Sequence, residues 1–196
     1  MASGRGSNFQ ALIDASGKKL MPDVELVLLI SNKKNAYAIE RAKKHGIHSE
    51  VIDSSSMTRE EFDTEAIRIL KENRVEVVVL AGFMRILTPI FINSYKNKIL
   101  NIHPSLLPSF PGAHAHRDAI MYGAKVSGCT THLVDESIDS GPIIMQAAVK
   151  ISTNETEKSL SEKILPYEHR ILPKSLQLLC SDRLVLEHRR VMIKPD

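Results

Sequence analysis

Apolar and polar positions change period repeatedly along the first hundred residues. Short β-branched runs at 24–31, 49–52, 75–80 and 99–103 alternate with stretches at 36–45, 59–73 and 89–95 whose apolar residues recur every three or four positions. This alternation predicts parallel strands joined by crossover helices. Val77-Val78-Val79-Leu80 is a continuous apolar run closed by Ala81-Gly82, the pattern of a strand covered on both faces. The expected fold is α/β, an open, doubly wound, mostly parallel sheet. Ligands of such sheets sit beyond the carboxyl ends of the strands, which directs attention to 4–8, 82–87 and 103–112.

After residue 103 the pattern becomes mixed. A loop carrying Pro104, Pro108 and Pro111 leads to an expected helix at 115–122, strands at 129–134 and 143–150, and a polar turn between them at 135–141. Thr156 opens a long helical stretch in which Pro166 and Pro173, lacking a backbone donor, are each expected to start a new helix. Runs at 184–187 and 191–193 predict a terminal hairpin. One domain spanning 1–196 is expected, with a first half (1–100) for phosphate binding and a second (101–196) for catalysis.

Composition narrows the class. The 196 residues, 43% apolar and 25% charged, exclude bulk disorder and suffice for a core without disulfide or metal. A net charge of +3, from 26 Lys and Arg against 23 Asp and Glu, is scattered along the chain and suits a small anionic ligand better than nucleic acid. Cys129 and Cys180 have no metal-ligand spacing, so free thiols in a reducing compartment are expected. No apolar run approaches the roughly 20 residues of a membrane helix, and no charged-then-apolar leader opens the chain. The expectation is a cytoplasmic protein without membrane attachment.

Three segments carry candidate chemistry. Gly4-Arg5-Gly6-Ser7-Asn8 precedes an amphipathic pattern at Phe9, Leu12 and Ile13, so its glycines would lie at a helix N-terminus, where free N–H groups and the helix dipole favour a phosphate. It fits neither the dinucleotide fingerprint nor the Walker pattern. A plain helix start capped by Ser7 or Asn8 is the alternative. In Asn101-Ile102-His103-Pro104-Ser105, Asn101 and His103 point to one face of a strand end. An amide donor beside an imidazole suits polarising a carbonyl and shuttling a proton, the two tasks of acyl transfer to an amine. Asp139, in the turn at 135–142, would orient or charge that imidazole if the fold brings them together, and is otherwise a solvated turn residue. The pattern leaves His132 undecided. His114 and His116 lack a carboxylate or Cys at ligand spacing, so no metal is expected.

Ser3-Gly4-Arg5-Gly6-Ser7-Asn8, Leu80-Ala81-Gly82-Phe83-Met84-Arg85-Ile86-Leu87, Asn101-Ile102-His103-Pro104-Ser105-Leu106-Leu107-Pro108 and Asp139-Ser140-Gly141-Pro142 occur in this order. Together they resemble the phosphoribosylglycinamide formyltransferases, folate-dependent enzymes of purine synthesis with a Rossmann-like fold. The resemblance covers essentially the whole chain. It implies direct formyl transfer from 10-formyltetrahydrofolate to the amine of glycinamide ribonucleotide, with no metal and no covalent enzyme intermediate, in a monomer or homodimer. It further implies that Gly6, Ser7 and Asn8 hold the ribonucleotide phosphate and that Glu168, within Leu165-Pro166-Tyr167-Glu168, contacts the ribose. Met84, Arg85, Ile86 and Leu87, with the loop Asp135, Glu136, Ser137, Ile138 and Asp139, would grip the pterin beside Asn101, and Arg59 would lie near the folate tail. Asn101 would stabilise the oxyanion, His103 act as general acid, and Asp139 keep His103 charged or relay protons through water.

Related activities fit less well. Methionyl-tRNA formyltransferases resemble a longer chain with an added barrel. 10-Formyltetrahydrofolate hydrolases lack the ribonucleotide phosphate loop, and a non-catalytic folate- and phosphate-binding remnant is disfavoured by the intact Asn101, His103 and Asp139. One departure stands out. The family's phosphate loop follows a short apolar strand inside the sheet, yet only Met1 and Ala2 precede Ser3 here. The expectation is a chain short by its first strand, with a gap in the sheet beside the phosphate loop or another segment filling it.

Overall fold

A computed structural model of the chain describes residues 1–195. Eight strands and six α-helices follow the expected order, with helices between the strands of the first half. β1 (Leu28–Ser31) and β2 (His48–Val51) form a parallel two-stranded sheet. β3 (Val78–Leu80), β4 (Ile99–His103), β5 (Val126–Leu133), β6 (Ile143–Lys150), β7 (Leu184–Glu187) and β8 (Arg190–Ile193) form a second sheet in the order β3-β4-β5-β6-β8-β7. β3 and β4 run parallel, β5 lies antiparallel to both β4 and β6, and the terminal hairpin β7–β8 joins through the single parallel pair Ile143 and Arg190.

The sheet divides where the first strand was expected to be missing. Only the backbone of residues 1–3 spans the division: the Ala2 N–H donates to Ile30 O at 3.1 Å, and Met1 O accepts from the Ala81 N–H at 3.0 Å. The pattern predicted longer strands at 24–31 and 75–80; the structure keeps only Leu28–Ser31 and Val78–Leu80. The reason is pairing, since an apolar run becomes a strand only where a neighbour takes its N–H and C=O groups.

The helices follow from local chemistry. α1 (Ser7–Gly17) begins after Gly6, whose φ of 66° is left-handed and whose added Cβ would meet Ala38 Cβ at 2.8 Å, so only glycine fits that junction with α2 (Tyr37–Lys44). No side chain caps α1, which corrects the alternative of a Ser7 or Asn8 cap. α3 (Arg59–Glu72) starts on a capping box formed by Thr58 and Glu61. α4 (Pro89–Ser94) carries its proline in the first turn, and α5 (Ala115–Tyr122) ends on left-handed Gly123.

α6 (Glu157–Cys180) is one helix containing both Pro166 and Pro173, which corrects the expected break at each. An interior proline costs about 3 kcal/mol. Leu160, Ile164, Leu172 and Leu176 are buried on one face of α6, and each such side chain contributes about 1.5–3 kcal/mol, enough to hold the helix through both sites. Among the described residues no helix is long and apolar enough to cross a membrane.

Candidate active site

The register of β4 against β5 assembles the core of the site. Asn101 lies directly opposite His132 in this antiparallel pair, and His103 lies opposite Thr130, so Asn101, His103 and His132 share one face of the sheet. The Asn101 Nδ2 atom is 3.0 Å from His132 Nε2 and donates to Asp139 Oδ1 at 3.4 Å. Asp139 Oδ2 is 3.3 Å from His103 Nδ1 and accepts the Gly112 N–H at 2.8 Å. The fold thus brings all three expected catalytic side chains together and adds His132, whose Nε2 is 3.7 Å from Asp139 Oδ1.

The geometry fixes the imidazoles. His103 Nε2 is 2.9 Å from Phe110 O, so that nitrogen donates, and its Nδ1 faces the Asp139 carboxylate. His132 Nδ1 is 2.9 Å from Leu133 O, so Nδ1 carries its proton and Nε2 is turned toward the Asn101 amide. His103 is almost wholly buried, and burial pulls its pKa below the ordinary value even though the Phe110 carbonyl and the Asp139 charge push the other way. Burial alone would raise the Asp139 carboxyl. The His132 ring 3.7 Å away, the Gly112 N–H and the His103 imidazole outweigh it and hold the carboxyl below its ordinary value. Asp139 and Phe110 both sit in the left-handed region, at φ 49° and 54°, which is uncommon for residues with a Cβ. Thr130 ties the loop after His103 down, its hydroxyl accepting from Leu107 N and donating to Ser105 O.

A second cluster lies where α1 meets α6. The amides opening α1 precede its first backbone bond, from the Gln10 N–H to Gly6 O, and are free to cradle an anion. Arg41 braces this loop by donating to Arg5 O at 2.9 Å and to Gln10 Oε1 at 2.8 Å. Asn8 Nδ2 donates to Glu168 Oε2 at 2.8 Å, joining side chains 160 positions apart. Both are buried, and Asn8 Oδ1 has no partner. Burial raises the Glu168 pKa, with the Asn8 amide partly offsetting it. On the turns of α6 before Glu168, Leu165 and Tyr167 are half-buried and Pro166 is exposed.

The loop after β3 presents Met84 and Ile86 to solvent while Leu87 is buried. Ser3 Oγ accepts the Met84 N–H at 2.9 Å, and Asp63 of α3, itself buried, accepts the Thr88 N–H at 2.6 Å. Arg85 lies 4.5 Å over the Phe62 ring, so its guanidinium is engaged with α3. In the loop before β6, Asp135 accepts from Ser137 N and from the Ser140 hydroxyl, Glu136 and Ser137 are exposed, and Ile138 is solvent-facing. Arg59 is exposed at the start of α3. No motif marks Asp63 or Thr130, whose contacts run through a buried carboxyl and a buried hydroxyl. Ser3 lies in the first motif and Phe110 and Gly112 in the 103–112 segment, but their contacts there, a hydroxyl, a carbonyl and an N–H, follow only from the fold.

A family model described as "Formyl transferase" matches residues 1–176. The chain belongs to the formyl transferase family. Within that family it is 40% identical over 186 residues to "Phosphoribosylglycinamide formyltransferase" of Escherichia coli, covering 94% of this chain and 87% of that protein. It is 49% identical over 183 residues to "Trifunctional purine biosynthetic protein adenosine-3" of Chironomus tentans, covering 92% of this chain. The chain spans only 13% of that relative and 18% of the corresponding Gallus gallus protein. Among solved formyl transferase structures, glycinamide ribonucleotide transformylase 1 from Symbiobacterium toebii superposes with a TM-score of 0.96 at 41% identity, covering 99% of this chain and 92% of that one. A formyltetrahydrofolate deformylase from Pseudomonas syringae superposes with a TM-score of 0.92 at 28% identity, covering all of this chain and 64% of that one.

Proposed function

We propose that the chain transfers a formyl group from 10-formyltetrahydrofolate directly to the amine of glycinamide ribonucleotide. The observation that carries this reading is the pairing of an acyl-transfer cluster, Asn101, His103 and Asp139, with a separate cradle at the start of α1 whose buried Asn8 and Glu168 present acceptors to a polyhydroxylated ligand. In this reading the amides of Gly6, Ser7 and Asn8 hold the phosphate. Asn8 Oδ1 and Glu168 accept from ribose hydroxyls, with Leu165, Pro166 and Tyr167 shaping that wall. The pterin lies against Met84, Arg85, Ile86 and Leu87 on one side and the loop of Asp135, Glu136, Ser137, Ile138 and Asp139 on the other, with Arg59 toward the acidic tail.

The chemistry follows from the charges that develop. The amine nitrogen forms a bond to the formyl carbon, the carbonyl oxygen gains negative charge, and an Asn101 N–H donates to it, giving up its long 3.4 Å contact with Asp139. The attacking amine then loses a proton and the folate nitrogen must gain one as its bond to carbon breaks. His103, kept neutral at rest by burial, takes the first proton and supplies the second, while Asp139 beside Nδ1 stabilises the imidazolium formed between the two steps. An oxyanion donor contributes about 10²–10³-fold and a general acid–base group about 10²–10⁴-fold, and positioning the amine supplies the rest.

The likeness to a deformylase structure raises hydrolysis as the competing outcome. The cradle favours the amine acceptor, because water needs neither a phosphate nest nor buried ribose acceptors. The test uses Asn8→Ala. The Michaelis constant for glycinamide ribonucleotide should rise at least tenfold while that for the folate stays within twofold; equal effects on both would refute the division of the site.

A further inference from the structure

The loop that carries Asp139 is held from two sides. On the side of the site, the Asp139 carboxylate accepts the Gly112 N–H at 2.8 Å and the Asn101 amide at 3.4 Å, and it faces His103 Nδ1 at 3.3 Å. Its backbone meets these partners from a left-handed φ of 49°, a conformation that persists only where neighbouring contacts hold it. On the other side, the next residue is tied twice. The Ser140 hydroxyl donates to Asp135 Oδ1 at 2.7 Å, and the Ser140 carbonyl accepts from the Arg189 guanidinium, 49 positions away. Gly141 then passes so close to β5 that an added Cβ would meet Leu133 O at 1.7 Å.

Arg189 belongs to the terminal hairpin. Glu187 pairs with Arg190, so β7 and β8 are joined by the two residues His188 and Arg189, with His188 left-handed at φ 54°. Tight turns favour Gly, Asn and Asp, whereas this one carries a long cationic side chain at its second position. Leu184, Leu186 and Val191 pack the hairpin against the larger core. Its one register pair with β6, Arg190 opposite Ile143, falls at the first residue after the Asp139 loop. The tip is therefore seated beside that loop on a packed support. The hairpin also lies beyond residue 176, where the match to the family model stops.

We propose that Arg189 is a positioning residue for formyl transfer, whose guanidinium holds the Ser140 carbonyl from the hairpin tip and thereby keeps the Asp139 carboxylate against His103. This rests on the roles proposed above for Asp139 and His103. Arg189 is exposed and acts through the Ser140 carbonyl. A guanidinium suits the task because it stays charged at every working pH, and a charge-assisted bond is about twice as strong as a neutral one. The tie matters because the contact between His103 and Asp139 is already 3.3 Å long, so a small shift of the loop opens it.

The test compares Arg189→Ala and Arg189→Lys in the full chain, with Arg190→Ala, an exposed neighbour on the same hairpin, as control. The first readout is the titration of the His103 imidazole by NMR, which requires no substrate. Besides Asp139, the titratable groups acting on His103 are His132 of β5 and His116 of α5, and no variant replaces either. Arg189→Ala should lower the His103 pKa by about half a unit or more, the direction expected when a carboxylate withdraws from an imidazole. Amide exchange at 136–141 should quicken at least threefold, with the melting temperature within about 2 °C of the parent. In the formyl-transfer assay kcat should fall at least fivefold, and the Michaelis constant for glycinamide ribonucleotide should stay within twofold. Arg189→Lys, which keeps a cationic donor on a long stem, should recover at least half of each effect, and Arg190→Ala should match the parent. An unmoved His103 titration in Arg189→Ala would overturn the proposal, and so would an equal shift in Arg190→Ala, which would reduce the effect to general charge. A shifted titration in a chain that transfers no formyl group would uphold the tie on Asp139 and refute the assigned reaction instead.

Discussion

In the proposed mechanism the His103 side chain changes charge in a place that resists charge. Burial lowers its pKa and Asp139 raises it, so the resting imidazole is neutral through neutral pH and protonates only on the acid side of the ordinary value near 6.5. If His103 first accepts the amine proton, kcat/KM should be flat through neutral pH and fall below that range. Asp139→Asn removes the charge that supports the imidazolium, so the acid limb should move to lower pH while kcat drops; an unmoved limb would show that Asp139 does not act on His103. Asn101→Ala and His103→Ala should each lower turnover by about two powers of ten or more, with circular dichroism unchanged. Asn101 and His103 could be paired from the two-residue strand period alone. His132 could not, because its place opposite Asn101 is set by an antiparallel register between segments 31 positions apart. Nor could Phe110 and Gly112, which contribute a carbonyl and an N–H that no residue type announces.

In the proposed reading the start of α1 and one face of α6 carry the substrate cradle. Gly6→Ala forces a left-handed φ on a residue with a Cβ, at a cost of about 1 kcal/mol or more, and drives that Cβ into Ala38. Thermal unfolding should fall by several degrees and binding of a phosphate-bearing ligand by tenfold or more. Gly4→Ala, where nothing lies within 4 Å, should leave both unchanged and serves as its control. On α6, Glu168 has a folded pKa raised by burial, so its contribution to stability is full below the unfolded value and is lost as pH rises through the folded one. Glu168→Gln should therefore raise the melting temperature at pH 7–8 while weakening ribonucleotide binding, and calorimetry beside kinetics checks both. The cradle helix was legible because glycines ahead of an amphipathic run signal a helix start. The unbroken course of α6 through Pro166 and Pro173 was not, since propensity is local and the burial of Leu160, Ile164, Leu172 and Leu176 is decided by the sheet beneath them.

For the molecule as a whole, the division of the sheet has a cost that pH reveals. The Met1 amine has an ordinary pKa of 8.0 and a folded one of about 5, so the unfolded chain binds a proton that the folded chain releases. Stability should fall as pH drops from 8 to 5, by up to about 4 kcal/mol from this group, and level off below 5. Acetylating the amine should flatten that slope, because the buried amine would then carry no charge in either state. The alternation of strand and helix was readable throughout. The shortening of β1 and β3 was not, because it depends on whether a neighbour is present rather than on either run's composition. The account stands or falls on one measurement with the purified chain, the partition of an isotopically labelled formyl group supplied as 10-formyltetrahydrofolate. It predicts that label appears on the amine of glycinamide ribonucleotide at a rate that depends on that acceptor, with formate a minor product. Label released as formate at the same rate with or without the ribonucleotide would contradict it.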